Sequence, residues 1–166
     1  MILTGPEIQN EIACGEIVIE PFSIDQVNPN SYNYRLGNIL KEHTAGENGQ
    51  GTFCTIQVPE DGYVLKPQQM YLAHTAEVIG SSRYAMSLIG RSSLGRLGLF
   101  LQVSADLGHT TSKHQWTLEL VACQPIKLYP NMVIGQISFW ENSGKIAPYN
   151  GTYGHLNNAQ ESRLFL

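Results

Sequence analysis

Residues 116–140 read WTLELVACQPIKLYPNMVIGQISFW. Three runs in this stretch, Trp116–Ala122, Ile126–Tyr129 and Val133–Trp140, are rich in β-branched and aromatic residues. Cys-Gln-Pro and Pro-Asn-Met separate them. Short apolar runs bounded by Pro, Asn and Gly are strand signals. The same pattern recurs outward along the chain. Ile17-Val18-Ile19 ends at Pro21, and Tyr32 to Leu36 ends at Gly37. Tyr63-Val64-Leu65 leads through Pro67 to Tyr71-Leu72-Ala73, and Leu99 to Val103 follows a glycine. This spacing predicts an all-β fold, a sandwich or closed barrel of the jelly-roll kind, with one or two short helices. The clearest helix begins at Thr4, a plausible N-cap with Glu7 three residues on, as in a capping box. Ile8 and Ile12 fall on one face, and Gly15 ends it. The polar, Gly-rich stretch from Lys41 to Thr52 reads as a mobile loop. The tail from Pro148 onward has little periodicity and reads as an arm lying over a neighbour.

With 166 residues, the chain predicts a single domain spanning 1–166, with 148–166 as its arm. Charged residues make up 14%, against a usual ~25%, and only ten are Lys or Arg, for a net charge of −4. A broad basic surface for nucleic acid is therefore not expected, and any anion site must be small and local. No apolar run reaches the ~20 residues of a membrane span, and MILTGPEIQNE lacks the basic and apolar segments of a signal peptide. The three scattered cysteines (Cys14, Cys54, Cys123) fit neither a disulfide framework nor a paired-thiol zinc site, which points to a reducing cytoplasm.

Three constellations carry possible chemistry. Gly90-Arg91-Ser92-Ser93-Leu94-Gly95-Arg96-Leu97-Gly98 packs two hydroxyls, two guanidiniums and three glycines into nine residues. Ser92 or Ser93 capping a short helix, with Arg91 and Arg96 as bidentate donors, would suit an oxyanion. A capped turn carrying two surface arginines fits the same residues. Glu119 sits among apolar residues in a strand pattern. Burial would raise its pKa and suit it to acid/base work, whereas strict alternation would place it on an outward face. In His109-Thr110-Thr111-Ser112-Lys113-His114, two histidines five apart invite a metal reading, but no third ligand follows in a recognised pattern. The His-x-Glu and Pro-Cys-x-x-Cys motifs of zinc nucleobase deaminases are absent. This stretch reads better as a polar hairpin loop. His43, His74 and His155 read as surface or packing residues.

Together these motifs resemble one family, the dCTP deaminases, relatives of the trimeric dUTPases. The resemblance is carried by Asn28-Pro29-Asn30-Ser31-Tyr32-Asn33-Tyr34-Arg35-Leu36-Gly37, the 90–98 block, Val103-Ser104-Ala105, Trp116 to Leu120 and Leu128 to Gln136. The tail Tyr149-Asn150-Gly151-Thr152-Tyr153 and the closing Ser162-Arg163-Leu164 add to it. The resemblance implies a distorted, dUTPase-like jelly roll assembled as a homotrimer with interfacial sites. It also implies hydrolytic deamination of dCTP to dUTP and ammonia without zinc, Mg²⁺ entering on the nucleotide's phosphates. Glu119 would be the general base and acid, and Arg91, Ser92, Ser93 and Arg96 would hold phosphates. Val103, Ser104 and Ala105 would read base and sugar, and Tyr149 and Tyr153 would close the arm.

The chain also departs from the family. The loop before the catalytic Glu usually reads Asp-x-Gly-aromatic-x-Gly, a pattern replaced here by His109 to His114. That Asp matches the base of the related dUTPases, so its loss argues against diphosphate hydrolysis, although His109 is itself a potential base. Losing both glycines implies an altered turn, because Thr and His disfavour positive φ. In the arm, Thr152 stands where the family has Lys and Leu156 about where it has Gln, which weakens the case for a triphosphate. Asn33 replaces a common Asp. The alternatives are a bifunctional enzyme giving dUMP, a relative acting on another pyrimidine nucleotide, or a catalytically silent nucleotide sensor.

Overall fold

The computed structural model describes residues 1–44, 51–102 and 104–163. The chain opens with helix α1 (Gly5–Ala13), β1 (Ile17–Glu20), β2 (Val27–Asn28), β3 (Ser31–Arg35), β4 (Ile39–Thr44) and β5 (Thr52–Gln57). It continues through β6 (Tyr63–Leu65), β7 (Met70–His74), β8 (Val78–Ser81), β9 (Tyr84–Gly90), α2 (Ser92–Arg96) and β10 (Leu99–Leu101). Last come β11 (Leu107–Gly108), β12 (Lys113–His114), β13 (Thr117–Ala122), β14 (Ile126–Leu128) and β15 (Val133–Glu141). Two five-stranded sheets, ordered β11-β9-β15-β3-β2 and β10-β13-β7-β4-β5, enclose the core. A three-stranded sheet, β1-β8-β12, and the pair β14-β6 complete it. Among the described residues every strand pairing is antiparallel. The expected all-β architecture with two short helices is what forms.

Alternation explains the two central strands. Leu118, Leu120 and Ala122 of β13 are wholly buried, while Thr117, Glu119 and Val121 face outward. Ile137 and Phe139 of β15 point inward against Tyr32, Tyr34, Met86 and Leu88. Each fully buried Leu, Ile or Phe stabilises by ~1.5–3 kcal/mol. Beneath α2's end of the barrel, Gly135 stands so close to Tyr34 that an added Cβ would lie 2.1 Å from its ring. Gly80 of β8 likewise admits β12: a Cβ there would meet Ser112's carbonyl oxygen at 2.4 Å. The hairpin that ends in β12 is thus pressed directly onto the sheet.

Several local expectations are corrected. Thr4 occupies the N-cap of α1 without a side-chain bond, and Glu7 accepts from Asn10 Nδ2, so no capping box forms. Arg91, not a serine, is the N-cap of α2. Of the stretch read as a loop from Lys41 to Thr52, residues 41–44 belong to β4 and Thr52 to β5, while 45–50 lie outside the described residues. Lys113 and His114 form a strand on β8 rather than loop. Thr111 adopts φ +77°, so a left-handed turn position is occupied despite the absent glycine.

Candidate functional site

Glu119 projects from the outward face of β13, half-buried between two wholly buried leucines. Ser104 Oγ donates to its Oε2 at 3.4 Å, which brings together two residues picked from sequence. Gln102 makes this approach possible and carried no signal in the sequence. Its backbone is left-handed (φ +52°), its N–H donates to the Glu119 carbonyl at 3.1 Å, and its Nε2 donates to the Thr117 carbonyl at 2.7 Å. The chain leaving β10 is thereby tied to β13 before it reaches Ser104. Ala105 is exposed, and Val103 lies outside the described residues.

Pairing across the sheet fixes what surrounds Glu119. Glu119 pairs with Leu72 of β7, and Leu72 pairs with Lys41 of β4, so the three share one outward row. Residues 157–161 reach this face at several points. Gln115 N–H donates to Asn157 Oδ1 at 2.9 Å, Gln160 N–H to Thr117 Oγ1 at 3.0 Å, and Lys41 pairs with Glu161 at 2.7 Å. Ala159, between these anchors, is buried. The C-terminal segment therefore crosses the chain's own Glu119 face rather than standing free.

The same segment begins on the turn at 109–112. The His109 and Tyr149 rings stack with centroids 4.7 Å apart, and Tyr149 N–H donates to Thr111 Oγ1 at 2.9 Å. The Tyr153 hydroxyl accepts the Arg163 N–H at 2.9 Å. Buried His114 lies against Trp116, ring centroids 4.2 Å apart, and burial lowers its pKa. His74, read from sequence as a surface or packing residue, is also buried. Its Nδ1 meets the Thr75 carbonyl at 2.8 Å, its Nε2 has no partner among the described residues, and desolvation lowers its pKa.

Arg91, Ser92, Ser93 and Arg96 gather around α2, and none of the four side chains has a hydrogen-bond or ion-pair partner among the described residues. Ser92, Ser93 and Arg96 are exposed and Arg91 half-buried. No bond joins them to Glu119 or Ser104. Gly98 and Cys123 bond where α2 leads into β10, at the opposite end of β13 from Thr117. Among the described residues, then, no hydrogen bond or ion pair links the catalytic candidate to the phosphate-binding candidates.

Residues 2–142 match the dCTP deaminase-like family. The chain is 41% identical over 169 residues to "dCTP deaminase, dUMP-forming" of Clostridium botulinum (strain Eklund 17B / Type B), covering 99% of this chain and 97% of that protein. It is 40% identical to the protein of the same name from Hathewaya histolytica, covering 99% and 98%. A "dCTP deaminase" of Rhodopirellula baltica is 40% identical over 147 residues, 87% of this chain and 74% of that one. The solved 2'-deoxycytidine 5'-triphosphate deaminase of Agrobacterium tumefaciens superposes with a TM-score of 0.69 at 21% identity. That match covers 85% of this chain and 48% of the other, and speaks for the fold. From its matched span, its relatives and its architecture, the chain belongs to the dCTP deaminase family.

Proposed function

We propose that the protein deaminates dCTP and carries the product on to dUMP. The observation that carries the deamination is Glu119: an outward carboxylate with one hydroxyl donor at 3.4 Å, on a face crossed by the chain's own C-terminal segment. A carboxylate so placed takes a proton from water as the water adds to C4 of cytosine. It returns that proton to N3 or to the departing amine, and ammonia leaves as the tetrahedral intermediate collapses. This half consumes dCTP and one water and yields dUTP and ammonia. A second water then attacks the α-phosphorus, giving dUMP and pyrophosphate. The relatives named dUMP-forming, about 40% identical over nearly their whole length, favour this second half.

Around this centre, Arg91, Ser92, Ser93 and Arg96 hold the phosphates, their unpartnered side chains offering charge-assisted and hydroxyl donors. That set contains no carboxylate, so it fits phosphate oxygens and leaves Mg²⁺ to enter on the nucleotide. Ser104 and Ala105, with Val103, border the base and sugar. Tyr149 and Tyr153 belong to the covering arm, which excludes water and strengthens charge interactions beneath it. That no α2 side chain bonds to Glu119 among the described residues supports a homotrimer whose sites use two copies. The outward face of the β9-β15-β3 sheet supports it too: Asn28, Ser31, Asn33 and Gln136 bond to one another along it, and Ile89 and Trp140 are exposed on it. Three exposed free cysteines suit a reducing cytoplasm.

One observation favours stopping at dUTP: His109, not a carboxylate, stands in the loop, and its ring is occupied by Tyr149. Chromatography of the products from dCTP and Mg²⁺ decides. dUMP with pyrophosphate supports the proposal, dUTP alone restricts it to deamination, and nucleotide binding without turnover overturns it in favour of a sensor.

A further inference from the structure

The turn at 109–112, with the start of β12, has the properties of a fixed docking platform. From beneath, Thr111 N–H donates to the Ser81 carbonyl at 2.7 Å, and Gly80 lets β12 lie against β8. Thr110, Ser112 and His114 are buried, so the alternate residues His109, Thr111 and Lys113 face outward. All three engage the C-terminal segment. His109 stacks on Tyr149, Thr111 Oγ1 accepts the Tyr149 N–H, and Lys113 N–H donates to the Gly154 carbonyl at 3.3 Å. Thr111 does this at φ +77°, an uncommon conformation for any residue with a Cβ and more so for a β-branched one. Glycine would fill the turn with less strain but has no hydroxyl.

We propose that Thr111 and His109 are positioning residues that dock the C-terminal segment, so that residues 157–161 cross the row of Glu119, Leu72 and Lys41. The inference rests on the reading of Glu119 as the reacting carboxylate. The loop acts through the segment and touches no reacting atom. Its two contacts fix where the segment starts, and the Gln115, Thr117 and Lys41 contacts fix where it ends. Losing the first anchor lengthens the free span and lowers closure over Glu119.

Hydrogen–deuterium exchange on the full-length protein without nucleotide tests the docking. Thr111→Val keeps the branched side chain and loses the acceptor, so exchange at 149–161 should rise about fivefold, the factor of one ordinary hydrogen bond. Thr111→Gly should raise exchange there as much while leaving the melting temperature unchanged or higher, because the turn relaxes. Thr111→Ser should restore protection, and His109→Ala should raise exchange alone. Unchanged exchange in Thr111→Val and His109→Ala overturns the docking. With dCTP, Thr111→Val should raise KM and lower kcat/KM severalfold, and Thr111→Ser should recover both. Faster exchange with unaltered kinetics overturns the positioning role. A wild-type protein that fails to turn over dCTP strikes the functional reading instead, and the exchange rates still decide the docking.

Discussion

The wholly buried Glu77 carboxylate takes two hydrogen bonds from one residue: the Arg35 backbone N–H at 2.9 Å and Arg35 Nε at 2.7 Å. Ala76 N–H returns to the Arg35 carbonyl at 2.8 Å, so β3 is fastened to the turn between β7 and β8. From that turn, Thr75 Oγ1 accepts the Trp116 N–H at 2.9 Å, at the entrance to β13. The pair is therefore part of what aims the strand carrying Glu119.

Replacing Glu77 with Gln should accordingly be costly. Removing one partner of a buried pair typically costs ~3–5 kcal/mol, because the other charge is left uncompensated. Arg35 keeps a quarter of its side chain exposed, which places the expected loss near the lower figure. Urea unfolding measures it, and a loss under ~1 kcal/mol would assign the fastening to the backbone bonds alone.

Glu119→Gln should lower kcat for dCTP deamination by ~10²–10⁴, the usual share of a positioned acid/base. Calorimetric titration with dCTP should show binding preserved. A variant deaminating at the wild-type rate removes Glu119 from the chemistry.

Arg96→Ala should weaken nucleotide binding by ~1.5–3 kcal/mol, the worth of a hydrogen bond to a charged group. Deoxycytidine, which has no phosphate, should bind wild type and variant equally. The same loss for the nucleoside would mean that α2 shapes the fold rather than holding phosphate.

His74 and His114 both have pKa values lowered by burial, so the unfolded chain takes up protons that the folded chain refuses. Their contribution to stability is full above the unfolded value of ~6.5 and is lost as pH falls through the lowered folded values. Unfolding free energies from urea titrations should decline from pH 7 downward, by at most about 1.4 kcal/mol per pH unit for each histidine, and the urea midpoints with them. His74→Phe should flatten that decline, and a wild-type midpoint independent of pH over this range contradicts it.

What the sequence disclosed follows from physical range. β13 and β15 were legible because one face of each is apolar and the period of two is visible in the letters. β4 and β5 were hidden, since TFCTIQ is the sheet's edge strand and KEHT pairs with it, both with mixed polarity and partial exposure. His74 looked ordinary because a strand buried on both faces loses its alternation. Ser104 and Glu119 were both named from sequence, but their approach depends on Gln102, whose left-handed backbone no local pattern announces. The contacts that residues 111–117 make with the C-terminal segment join residues 38 to 43 positions apart and lay beyond local reading altogether.

That α2 makes no bond to the Glu119 row among the described residues has a consequence for how the protein is inherited and dosed. On the proposed trimer, each site is shared property, and no single chain owns a complete one. Dilution should extinguish turnover before it unfolds the subunit. Two alleles, one disabled at Glu119 and the other at Arg96, should complement each other when their products mix, because some mixed sites then combine an intact carboxylate with an intact arginine.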